Sequence, residues 1–369
     1  MKTQAIAELL TGSRNLKNKR FLVTGGAGFI GSNLVRHIID EIPGSRVTVV
    51  DNLSYAGNLH NLDGVPKSRM KFVRADINDT PLMKKLFKVT DYVMHLAAES
   101  HVDRSIHQSS LIFLNANVLG THSLLEALRA SPNVRLFLHV STDEVFGTLP
   151  LASKAKFNER SAYLPNSPYA ASKAAGDMVV RSFYQTWKLP IIIAHPVNNY
   201  GPRQLPEKMI PFFTMRAMND LPLPLYGHGG HIRSWLHVND CSRALLAILQ
   251  KGQAGESYCI SADEDAPNHS VALTILRTLK KPKDLITYVT DRPGHDERYA
   301  LDASKLKRLG WKPNHALSVH LPKTVLWYKD NTGWTLKTTR NRKQFNKHIK
   351  SPALGSEKKM GYFAKGKRQ

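Results

Sequence analysis

Phe21-Leu22-Val23-Thr24-Gly25-Gly26-Ala27-Gly28-Phe29-Ile30-Gly31 is the stretch that decides the fold. Three apolar residues read as a short strand, the glycines as a tight turn, and Ile30, Leu34 and Ile38 then recur at helical spacing. Strand, glycine turn and helix in that order form the context a dinucleotide fingerprint requires: backbone N–H groups at the helix start receive a pyrophosphate, and side chains would block its approach. The next apolar run, Val47 to Val50, ends at Asp51, where an acid can accept a hydrogen bond from the adenosine ribose. A carboxylate there repels a 2′-phosphate, so NAD is expected rather than NADP.

Outward from this unit the alternation continues. Candidate strands lie at Lys71 to Arg74, Asp91 to Leu96, Arg135 to Val140 and Pro190 to Ala194, and helical patterns at Pro81 to Phe87, Leu111 to Arg129 and Ala171 to Trp187. Repeated strand and helix units predict an α/β fold, a doubly wound parallel sheet of the Rossmann type. After His195 the texture changes, and Pro196, Pro202, Pro206, Pro211, Pro222 and Pro224 break the chain into short pieces. The expected organisation is an N-terminal extension at 1–19, an NAD-binding Rossmann domain at 20–195, a smaller C-terminal substrate-binding lobe at 196–333 from which segments can return to the sheet, and a basic tail at 334–369.

Composition bounds the class. With 369 residues, 42% of them hydrophobic, the chain can bury a large core, and no continuous apolar run reaches the roughly 20 residues of a bilayer span. Cys241 and Cys259 are too few for a disulfide framework or a zinc finger, which points to a reducing compartment, the cytoplasm. The net charge of +23 is partly gathered after Gly333, where basic residues from Lys337 to Arg368 face the single acid Glu357. No nucleic-acid-binding motif accompanies that charge, so the tail reads as a solvated end dispensable for catalysis from about Thr335, and neither nucleic acid nor membrane is an expected partner.

Chemistry is carried by Ser141-Thr142-Asp143-Glu144, upstream of Tyr169-Ala170-Ala171-Ser172-Lys173. Tyr and Lys four apart stand one above the other on a helix, and an ammonium favours the phenolate that can take a hydroxyl proton as a nicotinamide takes the hydride. An acid and base at Asp143 and Glu144 could then remove water from the oxidised carbon skeleton. Adjacent residues of a regular strand point to opposite faces, so both reach one sugar only if the chain leaves the strand there, as Gly147 makes plausible. A basic and amide-bearing cluster, Asn198, Asn199, Lys208, Arg233, Asn268, Arg292 and His295, suits a nucleoside diphosphate.

With these residues in place, the chain resembles the dTDP-glucose 4,6-dehydratases of the extended short-chain dehydrogenase/reductase family. Matching runs are Val23 to Gly31, Tyr55 to Asn58, His95 to Ser105, Ser141 to Val145, Ser167-Pro168-Tyr169, Asn198 to Pro202, Pro206-Glu207-Lys208 and Asp291 to Asp296. The resemblance implies Tyr169 as the base at the sugar C4 hydroxyl, supported by Lys173 and Thr142, Glu144 as the base at C5, and Asp143 as the acid at the departing C6 hydroxyl. Cofactor contacts implied by fingerprint and resemblance together are Gly25, Gly28, Phe29, Ile30, Gly31, Asp51, Asn52, Leu53, Ser54, Asp76, Ile77, Leu96, Ala97, Ala98, Ser100, Tyr169, Lys173 and Asn199. Substrate contacts so implied are Ser100, Thr142, Asn198, Lys208, Met209, Pro224, Leu225, Tyr226, Arg233, Asn268, Arg292 and His295, with no metal. Three positions depart from the pattern: Phe146 in place of Tyr, Val197 in place of a small polar residue, and Ser234 in place of an acid. The implied activity is NAD-dependent dehydration of a nucleoside-diphosphate hexose, foremost dTDP-glucose, by a homodimer. UDP-glucose as substrate, a 4-epimerase or decarboxylase, and a non-catalytic NAD-binding interaction protein are the alternatives.

Overall fold

The computed structural model describes residues 13–54 and 56–339. Tyr55, most of the expected N-terminal extension and most of the basic tail lie outside the described residues. Its centre is a seven-stranded sheet, all parallel, built from β1 (Arg20–Thr24), β2 (Arg46–Asp51), β3 (Met70–Arg74), β4 (Tyr92–His95), β5 (Leu136–Val140), β6 (Ile191–Pro196) and β10 (Ser257–Ile260) in the order β10-β6-β5-β4-β1-β2-β3. The central strands are buried on both faces, which is why Leu136 to Val140 reads as an unbroken apolar run rather than an alternation.

Helices cover both faces: α1 (Phe29–Glu41), α2 (Thr80–Phe87), α3 (Val102–His107), α4 (Leu111–Arg129, with a π turn at Asn115–Leu119) and α5 (Pro168–Trp187). By length and composition α4 could cross a bilayer, a property no continuous run in the sequence announces because polar residues interrupt it. Half of it is buried in the protein, where Phe113, Leu124, Leu125 and Leu128 meet the core. Strand order reverses between β1 and β4, which opens a crevice at the carboxyl ends of the strands, where ligands of doubly wound sheets bind.

The second lobe contains β7 (Asn198–Tyr200), α6 (Met209–Met218), β8 (Leu223–Tyr226), β9 (Ile232–His237), α7 (Val238–Lys251), β11 (Asp265–Pro267), α8 (Asn268–Leu279), β12 (Ile286–Val289), α9 (Ser304–Arg308), α10 (Leu317–Asp330) and α11 (Thr332–Thr339). It has its own apolar cluster around Phe213, Leu225, Ile275 and Val325. β10 returns to pair with β6, and Cys241, Leu245 and Ile248 of α7 join the Rossmann core.

Two expected boundaries shift. Arg14 donates to the carbonyls of Leu249 and Gly252 at 3.0 and 2.8 Å, and Leu16 is buried, so the fold begins before residue 20. At the other end the division at 333/334 falls inside α11, because Trp334 packs on Trp327 and Tyr328 instead of entering solvent.

Candidate active site

The glycine turn fits its expected role. Gly25 has φ +67°, and a Cβ on Gly31 would stand 2.2 Å from the Gly25 carbonyl, so neither position accepts a side chain without moving the turn. Asp51, at the end of β2, accepts from Ala27 N at 3.0 Å and Leu53 N at 2.8 Å and so braces both sides of the cradle. Burial pushes its carboxyl up while those two backbone N–H groups hold it down. Asp76 bonds Asn52 at 3.2 Å alongside. The cleft continuing from here holds about 440 Å³, within the ~300–1,000 Å³ usual for small-molecule sites. Its walls include Gly25, Gly28, Phe29, Ile30, Gly31, Asp51, Asn52, Ser54, Asp76, Ile77, Leu96, Ala97, Ala98 and Ser100, and further in Thr142, Asp143, Glu144, Tyr169, Lys173, Asn198, Asn199 and Lys208. A cradle that a Cβ would fill and an acid held at the strand end fit a dinucleotide.

Leaving β5, the chain departs from the strand. Thr142 is extended at φ −152°, and its hydroxyl caps a 3₁₀ turn, Asp143–Phe146, by accepting from Glu144 N at 3.3 Å. That turn replaces the opposite-face geometry of a strand and lets both carboxylates line one cleft. Gly147, at φ +86°, ends it. Asp143 is 2% exposed; its Oδ1 accepts from the Thr142 hydroxyl at 3.2 Å, and its buried Oδ2 has no hydrogen-bond partner. Burial first, then the neighbouring Glu144, push the Asp143 carboxyl up to about 8, so it is a proton donor at neutral pH. Burial also raises Glu144, but Arg292 and Lys208 oppose that shift.

Tyr169 and Lys173 sit in the first turns of α5. Ser167 caps the helix by accepting from Ala170 N at 3.1 Å, and Pro168 begins it. Lys173 Nζ donates to the Val140 carbonyl at 2.9 Å, and burial lowers its ammonium to about 8. Burial pushes the Tyr169 phenol up, with Glu144 and Asp143 adding to this and the Thr142 hydroxyl opposing it.

Several implied substrate residues converge from the lobe. Arg292 Nη1 pairs with Asp103 at 3.0 Å, Tyr226 OH donates to Asp103 at 3.4 Å, and His295 Nδ1 lies 2.6 Å from Asp291. Lys208 Nζ donates to the Ser100 carbonyl at 2.9 Å. Others are occupied elsewhere. Leu225 is 3% exposed within the lobe core, against which Met209 also packs, and Pro224 is paired in the β8–β12 ladder. Asn268, by contrast, opens α8 with its backbone N–H donating to the His231 carbonyl, and its buried side-chain Oδ1 has no partner among the described residues. The Arg233 guanidinium donates to the carbonyls of Ile232, Asp296 and Glu297. Leu53 packs on the Rossmann core. Of the three departures, Phe146 is buried against Phe157, Tyr163 and His195, Val197 joins the core, and Ser234 donates to Asp265 and to the Tyr299 carbonyl.

Residues that the sequence did not single out complete the support. Asp177, fully buried one turn beyond Lys173, accepts from Ser141 Oγ at 2.7 Å and Tyr163 OH at 3.1 Å, with the rings of His139 and His195 at 3.0 and 3.1 Å. These partners hold its carboxyl far below its usual range despite burial, and its charge raises Lys173. Asn117, in the π turn, bonds the backbone of Glu99 and Ser172 Oγ, tying the α4 kink to α5. The i+4 spacing from Lys173 to Asp177 was a usable signal; nothing in the sequence marks Asn117.

Comparisons with known proteins agree with this geometry. The profile of the GDP-mannose 4,6 dehydratase family matches residues 22–324. A curated relative from Escherichia coli (strain K12), dTDP-glucose 4,6-dehydratase 1, is 47% identical over 341 residues, covering 85% of this chain and 94% of the relative. The crystal structure of the dTDP-glucose 4,6-dehydratase from Streptomyces venezuelae, with NAD and dTDP bound, is 42% identical with a TM-score of 0.82, over 85% of this chain and 98% of that one. The UDP-glucose 4-epimerase of Thermus thermophilus, in complex with NAD, is 30% identical with a TM-score of 0.76, over 84% and 99%.

Proposed function

The chain belongs to the dTDP-glucose 4,6-dehydratase family, and we propose that it converts dTDP-glucose to the 4-keto-6-deoxy sugar with NAD as a resident cofactor. The observation that carries this reading is the buried Asp143 beside the half-buried Glu144 in the same cleft as Tyr169 and Lys173. A 4-epimerase shares the fold and the Tyr/Lys pair, but its chemistry has no use for a neutral buried acid next to a base.

When bound, NAD would supply the acceptor and later the donor of a hydride, and the positive charge of its oxidised form would favour phenolate at Tyr169. Thr142 and the Lys173 ammonium stabilise the Tyr169 phenolate, which takes the C4 hydroxyl proton and becomes the neutral phenol. Oxidation at C4 acidifies the C5 hydrogen, which Glu144 removes; Arg292 and Lys208 favour its ionised form. Asp143, protonated at neutral pH, delivers a proton to the departing C6 hydroxyl, so water leaves without an unstable hydroxide. Return of the sugar's own hydride to C6 would be completed by a proton delivered to C5 from the Glu144 carboxyl, so no external reductant is consumed. Gly25 to Gly31, Asp51, Asp76 and Leu96 to Ser100 would hold the cofactor; Asn198, Lys208, Tyr226, Arg292 and His295 would hold the nucleotide sugar.

A homodimer fits this reading. Leu111, Leu119 and Met178 are 67%, 57% and 49% exposed on the paired helices α4 and α5, apolar surface that a second copy would cover. A cytoplasmic location suits two buried free cysteines. Incubation with dTDP-glucose, UDP-glucose and GDP-mannose, followed by assay of the 4-keto-6-deoxy product, tests the function: turnover of dTDP-glucose is expected to dominate, and a preference for either of the others would reassign the substrate.

A further inference from the structure

Arg203 carries two costs that its one aromatic contact, with Trp327, offsets only in part. It is a non-glycine residue at φ +70°, a sparsely populated backbone region. It is also a half-buried guanidinium with no carboxylate partner among the described residues, and burial and the nearby Arg36 lower it to about 10. Arg36 has backbone acceptors, the carbonyls of Asn61 and Asp63; Arg203 lies over the Trp327 ring at 5.8 Å.

The conformation is imposed from α10. Tyr328 OH reaches the carbonyls of Gly201 and Gln204 at 3.0 and 2.9 Å and receives Gln204 N at 2.9 Å, which pins the turn around Arg203. On the other side of that turn Asn33, from α1, donates to the Pro202 carbonyl at 3.1 Å, which sets Arg203 beside the helix that follows the glycine turn. Arg203 lines the same cleft as Gly28, Phe29 and Ile30. A strained backbone and a guanidinium with no carboxylate partner among the described residues, in the cleft that Gly28, Phe29 and Ile30 also line, suit an anionic group of the ligand.

Trp334 of α11 forms the adjoining wall. Its Nε1 donates to Asn61 Oδ1 at 3.2 Å, and Asn61 Nδ2 donates to the Ala27 carbonyl at 2.8 Å, within the glycine turn itself. Trp334 stacks edge-on against Trp327 at 5.2 Å, and Thr338, one turn on, also faces the cleft. One aromatic group, Trp327, Tyr328 and Trp334, therefore sets both the arginine and the wall.

We propose that Arg203 and Trp334 are cofactor-holding residues: Arg203 takes the pyrophosphate of the dinucleotide, and α11 closes the cleft over its adenosine half, retaining it through the redox cycle. This rests on the assignment of a dinucleotide to the cleft. A dehydratase that returns the hydride to the same sugar gains from slow cofactor release, since loss of the reduced form midway would strand a keto intermediate.

The test is calorimetric binding of NAD, ADP-ribose and adenosine to the full chain and to Arg203→Gln, Arg203→Lys, Trp334→Ala and Trp334→Phe, with NAD dissociation followed by chase. Hydrogen bonds to charged groups are worth about 1.5–3 kcal/mol, so Arg203→Gln should weaken NAD and ADP-ribose by roughly 10- to 100-fold and leave adenosine within about twofold. Arg203→Lys should recover part of the loss. Trp334→Ala should speed NAD dissociation by on the order of tenfold, with Trp334→Phe between it and the parent. Unchanged NAD affinity in Arg203→Gln, an equal loss for adenosine, or an unchanged dissociation rate in Trp334→Ala with its fold intact by circular dichroism would overturn the inference. Failure of the parent chain to bind NAD or ADP-ribose would instead remove the cofactor assignment, and this inference with it.

Discussion

Asp143→Asn should make the protein more stable while abolishing product formation. A carboxyl that would ionise near 3.8 in the unfolded chain stays protonated to about 8 in the fold. Keeping it neutral at pH 7 costs at most about 4 kcal/mol, at roughly 1.4 kcal/mol per pH unit. Asparagine removes that cost and keeps an acceptor for the Thr142 hydroxyl, which now lies 3.2 Å from Oδ1. Its amide hydrogens, however, enter the site of Oδ2, which has no partner, and an unsatisfied donor costs about 1–3 kcal/mol. A net gain of about 1–3 kcal/mol at pH 7 follows, read as a rise of several degrees in Tm. The sign with pH is fixed. A raised folded pKa means that the unfolded parent releases this proton first, so the parent loses stability as pH climbs from about 4 to about 8, whereas Asp143→Asn does not. Thermal melts of both proteins at pH 5, 6.5 and 8 should show a difference that widens upward. A constant difference across that range, or a destabilised variant that still forms product, would refute the claim that Asp143 is held as an acid.

Glu144→Gln should still allow C4 oxidation but slow C5 proton loss by about 10²- to 10⁴-fold, so reduced cofactor accumulates and solvent deuterium at C5 disappears from recovered sugar; normal exchange would restore an epimerase-like reading. Tyr169→Phe should block the first hydride transfer, seen as no absorbance of reduced cofactor in a single turnover. Met178→Glu, at an exposed apolar position of α5, should shift the mass measured by light scattering from dimer to monomer at micromolar concentration; a monomeric parent would rule out the dimer.

The legibility of this chain follows from which interactions are local. Gly25 to Gly31, the apolar run at Leu136 to Val140 and the Tyr169/Lys173 spacing are each set within one turn or strand, and the sheet and the centre of the cleft follow from them. Departure of the chain at Thr142 was also readable, since only a break in the strand brings Asp143 and Glu144 to one cleft. The lobe was less legible because position rather than residue type decides exposure there: Leu225 and Arg233 look equally available in sequence, yet one fills the core and the other is taken up by three carbonyls. Trp334 was hidden for a different reason. The basic composition after Gly333 suggests a solvated tail, and only long-range packing on Trp327, Tyr328 and Asn61 brings α11 to the cleft.

The most direct measurement of the central claim uses dTDP-glucose carrying deuterium at C4, incubated with the protein and less NAD than sugar. The account predicts a 4-keto-6-deoxy product that carries the deuterium at C6, formed in many turnovers per NAD, with no net reduced cofactor. Product without deuterium at C6, reduced cofactor in proportion to product, or recovery of only a C4 epimer would contradict it.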